Sequence, residues 1–184
     1  MKTILITGGS RGIGAATALL AAERGFAVAV NYNKSKEDAE KVVASIIQKG
    51  GKAKAFQADV TKENEIVRLF EEVEQAFGKL TSLVNNAGIL EQQSRLVNMS
   101  LQRWHRIFEA NTFSTFLCCK EAIKRMSLKH GGRGGTIVNI SSIAARTGAS
   151  FEYIDYAASK GAVDALTRVL EMYLKILKTK HKSR

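Results

Sequence analysis

Short runs of apolar, mostly β-branched residues alternate along this chain with longer segments in which apolar residues recur every three or four positions. The short runs predict buried strands, and the longer segments predict amphipathic helices. Strands that alternate with helices are typical of a parallel sheet joined by right-handed crossovers. The segments predicted as strands are 3–6, 26–30, 54–58, 81–84 and 136–140.

The segments between these strands carry the start and stop signals of helices. Thr61 is expected to cap the third helix, and the fourth is expected to break near Asn111 and Thr112. This order predicts an α/β fold, a three-layer doubly wound parallel sheet of Rossmann type with strand order 3-2-1-4-5 and a ligand crevice at the carboxyl ends of strands 1 and 4. The predicted helical segments are 15–23, 36–48, the segment between Thr61 and Gly78, 101–129 and 153–177.

A glycine-rich loop, Gly-Gly-Ser-Arg-Gly-Ile-Gly, joins the first strand to the first helix. Gly8 permits a tight turn, Gly12 lets the backbone approach a pyrophosphate, and Gly14 permits close packing of helix on strand. The N–H groups and partial positive charge of the helix N-terminus favour phosphate. Such a triplet alone is weak evidence, because many are ordinary turns. The flanking strand and helix make it a predicted dinucleotide-binding loop.

Tyr156 and Lys160 lie four residues apart in the last predicted helix and therefore share one of its faces. A tyrosine acts as a general acid or base near neutral pH only if the pKa of its phenol falls below about 10, and a nearby lysine cation has that effect. Ser142, which ends the preceding strand segment, could hydrogen-bond a substrate oxygen. Alone, such a pair is close to random; its place after a glycine-loop unit favours a catalytic role.

Length and charge narrow the class of protein. A chain of 184 residues predicts one domain, assigned here to residues 1–174, with a basic tail over 175–184. The net charge of +11 invites a nucleic-acid interpretation. Five of these charges follow the last acid, Glu171, and without them the net charge is +6. A solvated tail is therefore preferred, and no nucleic-acid partner is expected.

Neither a membrane-spanning run nor a signal peptide is expected in this sequence. Cys118 and Cys119 are neighbours and poorly placed to bridge each other, which favours a reduced, cytoplasmic setting. No spaced set of His, Cys and carboxylate residues predicts a metal site.

Several motifs together resemble the classical short-chain dehydrogenase/reductase family. They occur in the order and at the approximate spacing of that family, over residues 1 to about 170. The matching stretches are 7–14, Asp59-Val60, Asn85-Asn86-Ala87-Gly88, Asn111, Asn139-Ile140-Ser141-Ser142 and Tyr156-Ala157-Ala158-Ser159-Lys160. The resemblance implies NAD(P)-dependent hydride transfer between an alcohol and a carbonyl on a small-molecule substrate.

The resemblance also implies a role for each candidate catalytic residue. Tyr156 would be the acid/base at the substrate oxygen. Lys160 would lower the pKa of the Tyr156 phenol and bind the nicotinamide ribose. Ser142 would hold the substrate oxygen, and Asn111 would position a water that links Lys160 to solvent.

The predicted cofactor is NADP(H) in preference to NAD(H). Relatives that use NAD carry an acid at the end of strand 2, where this chain has Asn31, Tyr32 and Asn33 instead. Arg11 and Lys34 could meet a 2′-phosphate, although both could equally be merely exposed. The predicted cofactor-binding residues are Gly8, Ser10, Arg11, Gly12, Ile13, Gly14, Asn31, Tyr32, Asn33, Asp59, Val60, Asn86, Ala87, Gly88, Tyr156 and Lys160.

One motif spacing departs from the family pattern, and it leaves the substrate open. The Ser142-to-Tyr156 spacing is one residue longer than in many relatives, which expands the loop at 151–155 and leaves a sugar, a 3-oxoacyl thioester, a steroid or a small ketone as substrate. The resemblance also implies a homodimer or homotetramer, because in this family the corresponding long helices pack against another subunit. The two long helices predicted here carry more apolar positions than one core face requires.

The C-terminal part of the family pattern is missing. The resemblance fades after Thr167, so the usual last strands are expected to be absent and the chain is expected to be truncated, through a frameshift or a premature stop. The alternative to an active enzyme is therefore a non-catalytic nucleotide-binding remnant or a fragment of such an enzyme.

Overall fold

The computed structural model describes residues 1–148 and 153–179. In chain order the elements are β1 (Lys2–Ile6), α1 (Gly12–Glu23), β2 (Phe26–Tyr32), α2 (Lys36–Gln48), β3 (Lys52–Gln57), α3 (Glu63–Phe77), β4 (Leu80–Asn85), a 3-10 turn (Leu96–Asn98), α4 (Leu101–Phe108), a π-helical turn (Glu109–Phe113), α5 (Ser114–Met126), a 3-10 turn (Leu128–His130), β5 (Thr136–Asn139), α6 (Ala144–Thr147) and α7 (Ile154–Thr179).

The chain divides into two compact units. The first comprises residues 1–88 and 113–140 and contains the sheet. The second comprises residues 89–112 and the described residues from Ser141 on.

The sheet of the first unit has the predicted strand order, β3-β2-β1-β4-β5, and every neighbouring pair is parallel. Ile4 of β1 lies opposite Val28 of β2 and Ser82 of β4. The doubly wound α/β prediction is confirmed. All five strands therefore end at the same edge of the sheet, which places the segments that follow β1 and β4 side by side.

Alternate residues of β1 pack into two separate hydrophobic clusters, because successive side chains of a strand point to opposite faces of the sheet. Leu5 packs with residues of α3 and α5, whereas Ile4 and Ile6 pack with residues of α1 and α2. Leu5 and Ile6 are fully buried. Both faces of the central strand are covered, which is why it is a continuous apolar run rather than an alternating one.

One local prediction is wrong. Thr61 does not cap α3, which begins at Glu63 after Lys62 with no side-chain cap. The backbone N–H and the hydroxyl of Thr61 both donate to Oδ1 of Asp59, at 3.0 and 2.8 Å. Asp59 forms a local turn with these groups and thereby removes the hydroxyl that the cap required.

The second unit contains α4, the π-helical turn up to Thr112, α6 and α7. The predicted break near Asn111 is confirmed, because α4 passes into the π-helical turn at Glu109. Helix α7 runs to Thr179 and thus enters the segment assigned to the basic tail. Residues 149–152 and 180–184 lie outside the described part. The first two residues of the loop predicted to be expanded, 151 and 152, are among them. Among the described helices, none combines the length and apolar character that a membrane crossing needs.

Candidate functional site

Two glycines of the glycine-rich motif, Gly8 after β1 and Gly14 in the first turn of α1, leave no room for a side chain. A Cβ atom at Gly14 would lie 2.4 Å from the carbonyl oxygen of Gly8 and 2.6 Å from Nδ2 of Asn86. Gly8 has φ +60°, and a Cβ there would lie 2.9 Å from Cα of Ala87. At Gly12, with φ +55°, no described atom lies within 4 Å of the Cβ position. The loop is packed at Gly8 and Gly14 and open at Gly12, where the sequence predicts a pyrophosphate.

Neutral groups that follow β1 and β4 hold the loop in place. Oγ1 of Thr7 accepts the N–H groups of Asn86 and Ala87, at 3.0 and 3.1 Å. The side-chain amide of Asn86 donates to the carbonyl oxygens of Thr7 and Gly8, at 3.0 and 2.9 Å. The sequence pattern placed Thr7 in the glycine-loop motif but did not predict that its hydroxyl links the ends of β1 and β4. The predicted cofactor contacts of Asn86, Ala87 and the exposed Gly88 stay predictions.

Asn31 at the end of β2 has a structural role that its sequence position did not indicate. Its side chain is only 2% exposed. Oδ1 accepts the Gly8 N–H at 3.2 Å, and Nδ2 donates to the carbonyl oxygen of Ala58 at 3.0 Å. The side chain therefore fixes the glycine loop from inside, and the cofactor contact predicted for Asn31 stays a prediction.

The surface beside the loop carries cations and lacks the acid that NAD-binding relatives have. Arg11 precedes α1 and makes no side-chain cap, and the first turn of α1 contains no acid. Arg11, Asn33 and Lys34 are exposed, whereas Tyr32 is buried. The remaining predicted loop residues are the half-buried Ser10 and the exposed Ile13.

Asp59 is ionised and locally hydrogen-bonded. Burial alone would raise its pKa, but the hydrogen bonds from Thr61, the charge of Lys62 and a hydrogen bond with Asn33 outweigh burial and hold the pKa below its ordinary value. The Asp59 N–H also donates to the Glu65 carboxylate at 2.8 Å. The side chain of Val60 packs in the core with α3. The cofactor contact predicted for Asp59 and Val60 stays a prediction.

The predicted catalytic residues all belong to the second unit, and Asn111 is the most deeply buried of them, with no exposed surface. Oδ1 accepts the Ile89 N–H at 2.7 Å, and Nδ2 donates to the Ile89 carbonyl oxygen and to Oγ of Ser159, each at 3.0 Å. Ser159 in turn donates to the Tyr156 carbonyl oxygen at 2.7 Å. Asn111 therefore connects the π-helical turn to the turn of α7 that carries Tyr156. Its predicted role in holding a water is not tested by these contacts.

Tyr156 and Lys160 share a face of α7, as their spacing predicted. Nζ of Lys160 lies 5.9 Å from the centroid of the Tyr156 ring. Lys160 is 5% exposed, and this burial lowers the pKa of its ammonium group, partly offset by the charge of Asp164. Oγ of Ser142 accepts the Ala144 N–H at 3.2 Å and keeps its own proton for another acceptor. The arrangement combines a phenol, a desolvated cation and a hydroxyl donor in one unit.

Two further residues of this unit were not predicted. Asp155, directly before Tyr156, is fully buried and forms an ion pair with Arg103 of α4, with Nε 2.6 Å from Oδ2. The residues lie 52 positions apart, so no local pattern could have indicated their contact.

Neither cysteine has the character of a nucleophile or metal ligand. Burial raises the pKa of the Cys118 thiol far above its usual range and raises that of Cys119 to about 11, despite hydrogen bonds of Cys119 with Asn139 and Asn85 that lower it. Across residues 1–148 and 153–179, no cluster of three or more His, Cys, Asp or Glu side chains could hold a metal ion.

Comparison with known proteins assigns the family. The model of the short chain dehydrogenase family matches residues 2–178. The chain is 52% identical over 172 residues to YgfF, an uncharacterized oxidoreductase of Escherichia coli. The matched region covers 94% of this chain and 70% of that relative. The chain therefore belongs to the short-chain dehydrogenase/reductase family, a family of oxidoreductases.

More distant relatives agree with this assignment. The 3-oxoacyl-[acyl-carrier-protein] reductase FabG of Staphylococcus aureus is 41% identical over 91% of this chain and 66% of its own length. A crystal structure of a dehydrogenase/reductase from Sinorhizobium meliloti superposes with a TM-score of 0.88 at 36% identity, over 95% of this chain and 67% of that one. The chain thus spans about two thirds of the length of the relatives that it matches.

Proposed function

We propose that this chain is an NADP-dependent oxidoreductase that interconverts an alcohol and a carbonyl, with Tyr156 as the acid/base. The observation that carries the proposal is the desolvated Lys160 ammonium 5.9 Å from the Tyr156 ring. Burial of a lysine ammonium costs folding free energy, because the charged group loses its contacts with water. Such a cost is easier to explain where the charge has a function. The place of Lys160 one turn after a half-buried tyrosine, in a chain of this family, favours a catalytic use of that charge.

The residues of the glycine loop fit a dinucleotide. The open backbone at Gly12, the uncapped start of α1 and the absence of an acid in its first turn favour a diphosphate there. Arg11 and Lys34 are exposed cations suited to a 2′-phosphate, and β2 ends in Tyr32 rather than an acid. We therefore propose NADP(H) over NAD(H). When bound, NADPH supplies the hydride that a carbonyl carbon accepts.

The side chains of the second unit handle the oxygen of that carbonyl. The Tyr156 hydroxyl gives its proton to the oxygen as negative charge develops there, and it regains the proton in the oxidative direction. Ser142 donates a hydrogen bond to the same oxygen. The Lys160 ammonium stabilises the phenolate left on Tyr156, and the Asn111 side chain hydrogen-bonds the backbone of Ile89 and the hydroxyl of Ser159. The predicted link from Lys160 through water to solvent would return the proton.

We further propose that the active form is a homodimer or homotetramer in the cytoplasm that acts on a small-molecule carbonyl or alcohol. Phe113 and Phe116 at the start of α5 are 54% and 48% exposed. Val169 and Met172 of α7 are 61% and 64% exposed. Exposed apolar residues on long helices fit burial against a second copy. Sedimentation at several concentrations tests this, and a monomer at all of them would contradict it.

Cofactor choice is tested by calorimetric titration of the chain with NADPH and with NADH. We expect tighter binding of NADPH, and an Arg11→Ala, Lys34→Ala double variant that loses most of this preference. Tighter NADH binding would refute the proposed cofactor. A carbonyl panel followed by NADPH absorbance then tests turnover. Binding with no turnover on any substrate would favour the non-catalytic remnant.

A further inference from the structure

The ion pair between Arg103 and Asp155 has no part in the proposed chemistry, yet it adjoins the acid/base. The pair is bidentate: Nε of Arg103 lies 2.6 Å from Oδ2 of Asp155, and Nη2 of Arg103 lies 3.3 Å from Oδ1 of Asp155. Asp155 is fully buried and Arg103 is 9% exposed. Removing two charges from water costs free energy that the pair must recover through geometry.

The pair fixes the first turn of α7 through contacts on both of its members. Oδ1 of Asp155 accepts the backbone N–H of Tyr156 at 2.9 Å. Nη1 of Arg103 donates to the carbonyl oxygen of Gln92 at 2.7 Å. One guanidinium therefore ties the start of α7 to α4 and to the segment before α4, and its carboxylate partner holds the amide of the tyrosine itself.

A second tie lies one helical turn further on. Asn111 donates to Oγ of Ser159, and Oγ1 of Thr112 donates to the Ser159 carbonyl oxygen at 3.0 Å. Tyr156 lies between the two tied positions, 155 and 159. Its backbone is thus held on both sides by side chains of the α4 and π-helical segment, one tie being an ion pair and the other neutral.

Arg106, on the same helix α4, forms an ion pair at the surface and serves as a comparison for Arg103. It pairs with Glu91 at 3.0 and 3.2 Å, but its side chain is 56% exposed. Exposed pairs of this kind contribute little to stability. Arg103 and Arg106 are therefore a matched pair of arginines, one buried against the turn that carries Tyr156 and the other at the surface.

We propose that Arg103 and Asp155 are positioning residues that hold Tyr156 where its hydroxyl can exchange a proton with the substrate oxygen. This inference rests on the proposed function. A directional pair suits this task because a displacement of about 1 Å at a reacting group can lower a rate by about 100-fold.

The test compares Arg103→Met and Asp155→Asn with the control Arg106→Met. We expect kcat to fall at least about tenfold in the first two and less than about twofold in the control, while the Kd for NADPH stays within about twofold in all three. An unchanged kcat in both Arg103→Met and Asp155→Asn, or an equal loss in Arg106→Met, would overturn the proposal.

A double variant, Arg103→Met with Asp155→Leu, separates positioning from stability. Apolar replacement of both partners removes the unpaired charge that either single variant leaves, so the melting temperature should recover. Under the proposal kcat stays low. If kcat recovers together with the melting temperature, or if none of the three variants at these positions folds, the pair is structural only.

A readout without turnover keeps this test separate from the proposed function. The chain is labelled with 13C at tyrosine Cζ and studied by NMR. The resonance that disappears in the Tyr156→Phe variant is assigned to Tyr156. We expect this resonance to shift in Arg103→Met and Asp155→Asn but not in Arg106→Met. If the parent chain shows no turnover, the proposed function fails while the resonance still decides the positioning role; an unmoved resonance would refute it.

Discussion

The glycine loop of the first unit and the first turn of α7 in the second are both fixed by side chains from distant parts of the chain, but with different chemistry. Around the loop the ties are neutral: the amides of Asn31 and Asn86 and the hydroxyl of Thr7. Around α7 a buried ion pair is added to the neutral tie at Ser159.

Under the proposed function, the difference follows from what each region has to present. A loop that receives a diphosphate presents backbone N–H groups, and neutral side chains can fix it without a charge that competes for those groups. A tyrosine that exchanges a proton must be held by its backbone while its side chain stays available. Arg11 in the loop and Lys34 after β2 are exposed cations, and a 2′-phosphate is expected there.

The largest expected effect comes from Tyr156→Phe. Loss of the hydroxyl removes the proton donor, so kcat should fall by about 100- to 10,000-fold while NADPH binding stays largely intact. Steady-state reduction of the best carbonyl substrate, followed through NADPH absorbance, measures this. Tyr153→Phe removes a hydroxyl three residues earlier and is the control. Unchanged turnover in Tyr156→Phe would remove Tyr156 from the mechanism.

A helical glycine in each unit gives the next comparison. Gly14→Ala in α1 forces a Cβ to within 2.4 Å of the Gly8 carbonyl oxygen and should cost about 1–3 kcal/mol, together with NADPH affinity. Gly161→Ala in α7 meets no described atom within 4 Å and should stabilise the fold by up to about 1 kcal/mol. Urea unfolding of both variants decides it. A tolerated Gly14→Ala would show that the loop is not packed as described.

The smallest expected effect is a dependence of stability on pH at Lys160. Its pKa is lowered by burial, so between that pKa and the ordinary value near 10.5 the unfolded chain binds more protons than the folded chain. The free energy of unfolding should therefore rise with pH across this window. Lys160→Met should be more stable than the parent at neutral pH, with a margin that narrows towards pH 10.5. A margin independent of pH would contradict the burial of a charged lysine.

Features carried by consecutive residues could be predicted from the sequence. The five parallel strands, the glycine loop and the helix break at Asn111 depend on local periodicity, glycine and turn signals. Tyr156 and Lys160 could be placed on one face because their spacing alone defines it. The family motifs supplied their chemistry.

Long-range contacts could not be predicted in this way. Asn31 ends a strand where cofactor contacts are common, but its burial depends on the carbonyl oxygen of Ala58, 27 residues later. Arg103 and Asp155 meet across 52 residues. Thr61 had the residue type of a helix cap, yet the nearby Asp59 carboxylate captured its hydroxyl. Each case depends on which partner the fold brings near, and the local pattern does not contain that information.

Thermal unfolding of the chain with and without saturating NADPH or NADH tests whether the folded chain binds NADP(H) in preference to NAD(H). A ligand that binds only the folded state stabilises it by about 2.7 kcal/mol at 100 times its Kd, and so raises the melting temperature. We expect a clear rise in melting temperature with NADPH and a smaller one with NADH at equal concentration. No rise with either nucleotide, or a larger rise with NADH, would contradict it.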